Sequence, residues 1–161
     1  SLGQDIPCCI AAQNCYFRGI GDVMDPGPVL PHTHMVLVNP NHDLPTPSVF
    51  KARTGDFMPA NQLKSAPSST EEMAEMLAER TNNLTDAAIS LCPAIADVLG
   101  ALSSSESCLL SRMSGSGATC FGLFADRSAA RQAAAEIMKE HPSWWVVPAQ
   151  IPTEPVLPLE R

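Results

Sequence analysis

The stretch Leu109-Leu110-Ser111-Arg112-Met113-Ser114-Gly115-Ser116-Gly117-Ala118-Thr119-Cys120-Phe121-Gly122-Leu123-Phe124 decides how this chain folds. Two apolar, strand-like runs flank a short loop punctuated by glycine. Gly115 and Gly117 have no Cβ, so the backbone there can take positive φ and approach other groups closely. Ser114 and Ser116 add hydroxyls, and successive N–H groups in such a turn can form an anion-binding concavity. Two readings fit the loop alone: a tight hairpin with incidental serines, or the wall of a phosphate site.

Working outward, Ser128 to Glu140 reads as an alanine-rich amphipathic helix and Trp144 to Pro148 as a closing strand. Upstream, Pro93 to Leu102 reads as a helix with Ala94, Ile95, Val98, Leu99 and Leu102 inward, terminated by Ser103 to Ser107. Ser69-Thr70-Glu71-Glu72 matches a capping box, with Met73, Met76 and Leu77 following at helical spacing. Thr54 to Pro67 is polar and broken by Gly55, Pro59 and Pro67, a surface loop. Thr46 to Ala52 suits one or two helical turns with Pro47 near its start. Met35 to Val38 reads as a short strand, Asp25 to Pro31 as a linker, Asn14 to Arg18 as a strand, and residues 5–12 as a helix. The prolines after 150 mark a tail. Strand, helices, strand, strand, helix, strand is a split β-α-β order. It predicts an α+β fold, an antiparallel sheet with helices on one face.

The chain has 161 residues, 45% of them apolar, which suits a packed domain. Ten basic and seventeen acidic side chains give a net charge of −7. With no basic run, this excludes a general binder of nucleic-acid phosphates. No apolar run approaches the length that spans a bilayer, so no membrane role is expected. The six cysteines lack a Cys-x-x-Cys pair and read as reduced core thiols rather than zinc ligands. His32-x-His34, beside Pro31, reads as a loop feature, and no metal site is assigned to the chain's own residues.

Three further segments combine with the glycine loop. Gly3-Gln4-Asp5-Ile6-Pro7 places a carboxylate beside a glycine. Arg18-Gly19-Ile20-Gly21-Asp22 is a turn. Asn39-Pro40 precedes Thr46-Pro47 and Phe50-Lys51. In this order they resemble the galactokinase, homoserine, mevalonate and phosphomevalonate kinase superfamily, over most of residues 1 to 148. Thr46-Pro47 with Phe50-Lys51 looks most like the branch whose acceptor is a cytidyl diphosphate sugar alcohol of the non-mevalonate isoprenoid route. The superfamily's ATP-phosphate loop, of the sense Pro-x-x-x-Gly-Leu-Gly-Gly-Gly-Ser-Ser, has no counterpart here, nor has its early lysine. The chain therefore resembles the C-terminal portion of a longer cytoplasmic enzyme, with the N-terminal half of the same polypeptide as its expected partner. Residues 1–31 would end the N-terminal catalytic domain, 32–150 would form a ferredoxin-like C-terminal domain, and 151–161 a tail.

The resemblance implies ATP-dependent phosphorylation, with Mg2+, of a hydroxyl on the sugar alcohol. Phosphoryl transfer needs charge neutralisation and often a carboxylate to orient or deprotonate the acceptor. Asp5 is the implied catalytic base. On the residues alone it could equally be a helix cap. Phe50 is implied to stack on the cytosine, with Thr46 and Pro47 lining that pocket, although a Phe four residues after Thr46 on a short helix could also fill core. Gly115, Ser116 and Gly117 are implied to wall the phosphate site. Where the family places Asp then Leu-Glu after an asparagine, this chain has Asn82-Asn83-Leu84-Thr85, a departure expected to touch none of these residues. Two alternatives stay open: another kinase of the superfamily acting on a mevalonate- or homoserine-type alcohol, or a ferredoxin-like module that binds a small ligand without catalysis.

Overall fold

A computed structural model describes residues 13–19 and 23–152. Its elements in chain order are β1 (Cys15–Arg18), β2 (Val23–Pro26), β3 (Thr33–Asn39), α1 (Thr46–Ala52), α2 (Thr70–Ala78), α3 (Thr85–Leu91), α4 (Ala94–Ser104), β4 (Leu110–Met113), β5 (Cys120–Phe124), α5 (Arg127–Glu140) and β6 (Trp145–Ile151). Strands β3 to β6 form one sheet in the order β4-β5-β3-β6, every neighbouring pair antiparallel. This is the split β-α-β arrangement expected from the element order. The β4–loop–β5 hairpin lies at one edge and β6 at the other. Pro148 in β6 stands opposite Val36. It is tolerated because an edge strand can turn the missing donor to the outside.

Side chains alternate across the sheet. Val36, Val38, Cys120, Phe124 and Val146 point to one face, where they join Ile95, Val98 and Leu102 of α4 and Ala130, Ala133, Ala134 and Ile137 of α5 in a single buried core. Small alanines let α5 pack close to the strands. The Ser111 hydroxyl donates to the Leu99 carbonyl at 3.1 Å, tying the edge strand to α4.

The second face is not open, and here the expectation of helices on one face fails. Met73 of α2 is 1% exposed and Leu123 of β5 likewise. The Thr33 and Thr70 hydroxyls share a buried hydrogen bond of 3.0 Å, which fixes the start of α2 against the start of β3. The odd-numbered strand residues Met35, Phe121 and Leu123 are apolar too, so this face also needs cover. With Tyr16, Met73 and Leu77 they enclose an apolar cavity of about 280 Å³.

Asp25 and Pro26, the start of the expected Asp25–Pro31 linker, instead end the strand Val23–Pro26. It pairs with β1 as a hairpin, and Arg18 reaches Asp25 at 2.7 Å. Residues 85–91, to which the sequence assigned no element, form α3. Ser69 caps α2 as expected, accepting from the Glu72 N–H at 3.2 Å. The Glu72 carboxylate, however, accepts from the Ser68 N–H and hydroxyl, one residue earlier than a capping box requires. These bonds hold its carboxyl below the usual carboxylate range. Helix α5 starts one residue earlier than expected, because Asp126 is its cap.

Candidate functional site

The candidate site lies where the β4–β5 loop meets the start of α1. Pro45 has φ −63° and ψ 122°, so the chain enters α1 from an extended conformation, and its carbonyl accepts from the Ser48 N–H at 2.9 Å. Pro47 sits in the first helical turn, where its missing N–H is not needed. Val49 is the buried residue of α1 and anchors it to the core. Phe50, its neighbour, is 51% exposed, so it does not fill core. Thr46 and Phe50 are separated by four residues and therefore share one helix face.

Both glycines of the loop adopt the left-handed conformation, Gly115 at φ 55° and Gly117 at φ 87°. The Ser114 N–H donates to the Thr119 carbonyl at 2.9 Å, and the Gly117 N–H to the Ser114 carbonyl at 2.9 Å, closing the turn. Gly117 is also wedged. A Cβ there would lie 2.9 Å from the Met113 sulfur and 3.3 Å from Leu44 Cδ2.

The structure brings Thr46 and Ser116 together. Their hydroxyls are 2.8 Å apart across 70 residues of sequence. The start of α1 and the glycine loop, singled out separately in the sequence, thus meet. Asp5 lies outside the described residues, as do Ile20, Gly21 and Asp22 of the turn motif.

The segment Asn82–Thr85 reaches the loop through Asn82, the asparagine that precedes the departure from the family pattern. The Asn82 side-chain amide donates to the Gly115 carbonyl at 2.8 Å and to the Met113 carbonyl at 3.0 Å. Asn39 likewise donates to the Thr119 hydroxyl at 2.9 Å. Neither contact was legible locally, since each crosses more than thirty residues. An asparagine just before an apolar helical segment was the one available signal.

Beside the loop, a cavity of about 600 Å³ is lined by Arg53, Arg80, Asn82, Arg112 and Met113 among others, but not by Thr46, Pro47 or Phe50. Its arginines are already engaged. Arg112 donates to the Leu77 carbonyl at 2.8 Å, and Arg80 donates to the carbonyls of Met76, Asn61 and Gln62. The Arg53 guanidinium lies 3.6 Å from the centroid of the Phe57 ring. Burial, with Arg80 nearby, lowers the Arg112 pKa from its usual value. Among the described residues no group of three or more His, Cys, Asp or Glu side chains converges to hold a metal ion. His32 and His34 meet edge to face, with ring centroids 4.8 Å apart. Cys92 and Cys120 are buried, and burial pushes the Cys120 thiol up to about 12, which keeps it protonated and inert. No helix among the described residues is long and apolar enough to cross a membrane.

The family described as GHMP kinases C terminal matches residues 58–143. A curated protein of Paramagnetospirillum magneticum, 4-diphosphocytidyl-2-C-methyl-D-erythritol kinase, is 49% identical over 94% of this chain and 53% of its own length. A protein of the same name from Rhodospirillum rubrum is 48% identical over 89% of this chain and 47% of its own. The chain thus spans about half the length of the curated relatives it matches. A solved structure of 4-(cytidine 5'-diphospho)-2C-methyl-D-erythritol kinase superposes with a TM-score of 0.65 at 27% identity, covering 91% of this chain and 53% of that one. A homoserine kinase structure from Cytophaga hutchinsonii has a TM-score of 0.66 at 16% identity over the same shares, a likeness of fold alone.

Proposed function

Because the chain belongs to the GHMP kinase C-terminal family, we propose that it is the C-terminal portion of a 4-diphosphocytidyl-2-C-methyl-D-erythritol kinase. The whole enzyme would transfer the γ-phosphate of ATP to the 2-hydroxyl of its sugar alcohol in the cytosol, on the non-mevalonate route to isoprenoid precursors. Residues 1–31 would complete the N-terminal catalytic domain, and residues 32–150 would form the C-terminal one.

The observation that carries this reading is the Thr46–Ser116 hydrogen bond of 2.8 Å. It joins the helix expected to hold the acceptor to the loop expected to wall the phosphates. A phosphoryl transfer needs acceptor and donor fixed in line, and little else from the protein. Phe50 projects from the acceptor-side helix with half its surface free to meet a planar base. Asp5, beside Gly3 and Pro7, would take the proton of the attacking hydroxyl. Magnesium would enter with ATP. Among the described residues no group of three or more His, Cys, Asp or Glu side chains would hold it.

The test is ADP release by the complete polypeptide, with the cytidyl sugar alcohol, mevalonate and homoserine offered in turn. Turnover with the cytidyl compound alone is expected. Asp5→Asn should lower kcat by about 10²- to 10⁴-fold, the span of general-base catalysis, with substrate affinity less affected. Preference for either other alcohol would overturn the assignment.

A further inference from the structure

Two asparagines grip the glycine hairpin, one on each leg, in matching fashion. Asn82 accepts the Leu84 N–H at 2.9 Å through Oδ1, a turn that starts α3. Its Nδ2 donates to Met113 O and Gly115 O, on the outgoing leg. Asn39 accepts the Asn41 N–H at 2.8 Å through Oδ1, a turn at the end of β3. Its Nδ2 donates to the Thr119 hydroxyl on the returning leg. Asn41 has φ 57° and donates to the Ser143 carbonyl at 2.7 Å, so this second turn is itself braced against the approach to β6.

An amide side chain can donate through its nitrogen to a carbonyl while its oxygen accepts from an N–H; a carboxylate only accepts. The grip on Gly115 O has a further effect. In the planar trans peptide the carbonyl and the following N–H point in opposite directions. Holding Gly115 O toward Asn82 therefore turns the Ser116 N–H away from it. The Ser116 hydroxyl meets Thr46 from the same residue.

We infer that Asn82 is a positioning residue for phosphoryl transfer, setting the orientation of the Gly115–Ser116 peptide, while Asn39 only braces the returning leg. The inference rests on the kinase reading for its functional consequence, but not for its geometry. The two residues differ in what they tolerate. Asn82→Asp keeps the acceptor for Leu84 and sets a carboxylate against two carbonyls. Asn39→Asp keeps the acceptor for Asn41, and the Thr119 hydroxyl can rotate to donate instead.

The experiment compares the two Asp variants in the complete enzyme at saturating substrates, with backbone amide resonances of residues 115–117 followed by ¹⁵N NMR. Asn82→Asp should displace the Ser116 resonance and lower kcat by about 10- to 100-fold, as expected for a misplacement near 1 Å, with smaller changes in KM. Asn39→Asp should cost under about threefold. A purely structural role would lower the melting temperature and leave kcat per folded enzyme unchanged. That outcome, or equal losses in the two variants, overturns the inference. If Asn82→Asp does not fold, Asn82→Ser replaces it. Serine can still accept from Leu84 but is too short to reach the hairpin, and an unchanged kcat in that variant refutes the proposal. Should wild-type enzyme show no kinase activity, the functional reading fails, while the resonances still decide whether Asn82 sets the peptide.

Discussion

Gly117→Ala is the substitution for which the structure gives the sharpest expectation, because Gly115→Ala serves as its control in the same loop. Gly117 has φ 87°, and a Cβ there would stand 2.9 Å from Met113 Sδ, 3.3 Å from Leu44 Cδ2 and 3.4 Å from Ile95 Cδ1. Gly115 has φ 55°, and a Cβ there would meet nothing within 4 Å. Left-handed backbone costs a non-glycine residue about 1–2 kcal/mol, and this applies to both. Only Gly117 adds steric overlap. Met113 is 2% exposed and Ile95 is fully buried, so neither can swing into solvent. Forcing a methyl into such packing costs about 1–3 kcal/mol. The expected losses are therefore about 1–2 kcal/mol for Gly115→Ala and about 2–5 kcal/mol for Gly117→Ala. The latter is a large share of a typical folding stability of about 5–15 kcal/mol. Urea unfolding of wild type and both variants gives the two differences from the shift in midpoint at constant slope. Equal losses would show that backbone strain alone matters and that the wedge under Gly117 is not load-sharing with the core.

Two further outcomes follow from exposed side chains. Phe50→Leu keeps an apolar side chain but removes the aromatic face. Affinity for the cytidyl compound should fall by about 5- to 150-fold, the worth of a base–aromatic stack. ATP affinity should hold, and because Phe50 is 51% exposed the melting temperature should move by only about 1–2 °C. Equal weakening of both ligands with a large drop in melting temperature would mark Phe50 as structural. At the start of α5, the Ser128 hydroxyl and then the Ala129 N–H hold the Asp126 carboxyl below its usual range. A depressed folded-state pKa means a contribution that is complete above the unfolded value, near 3.8, and lost as pH falls through the lower folded value. Asp126→Asn should flatten the fall in melting temperature below about pH 4. Parallel curves for the two proteins would sink the assignment.

Much of the fold could be read locally. The apolar runs of β3 and β5, the serine cap of α2 and the inward stripe of α4 are signals carried within single segments, and each produced its element. The helix α3 was not legible, because its start is made by Asn82 folding back on Leu84 rather than by a cap at the helix boundary. The strand Val23–Pro26 was hidden by its own proline and by Asp25, both poor strand formers. It forms as the partner of β1, a pairing that no local pattern announces. The position of α2 was misjudged for a related reason. Its apolar stripe says that it packs, not on which face. The odd-numbered residues of β5, Phe121 and Leu123, held the missing information, since a strand apolar on both sides must be covered on both.

The candidate site divides along the same line. The capacity for positive φ at Gly115 and Gly117 is a property of the residues themselves and was legible in the sequence. What makes the loop part of a site is nonlocal. Thr46 meets Ser116 across 70 residues, Asn39 meets Thr119 across 80, and Asn82 meets Gly115 across 33. All three contacts end on the loop between the paired strands β4 and β5, where the bonds from the Ser114 N–H to the Thr119 carbonyl and from the Gly117 N–H to the Ser114 carbonyl close the turn. The hairpin is therefore shaped from within by glycine and aimed from outside by the ends of β3, α1 and α3. A change that spares the glycines but shifts any of those ends would leave the motif intact in sequence and misdirected in space. Activity should therefore be more sensitive to Asn82 than the loop's sequence alone suggests.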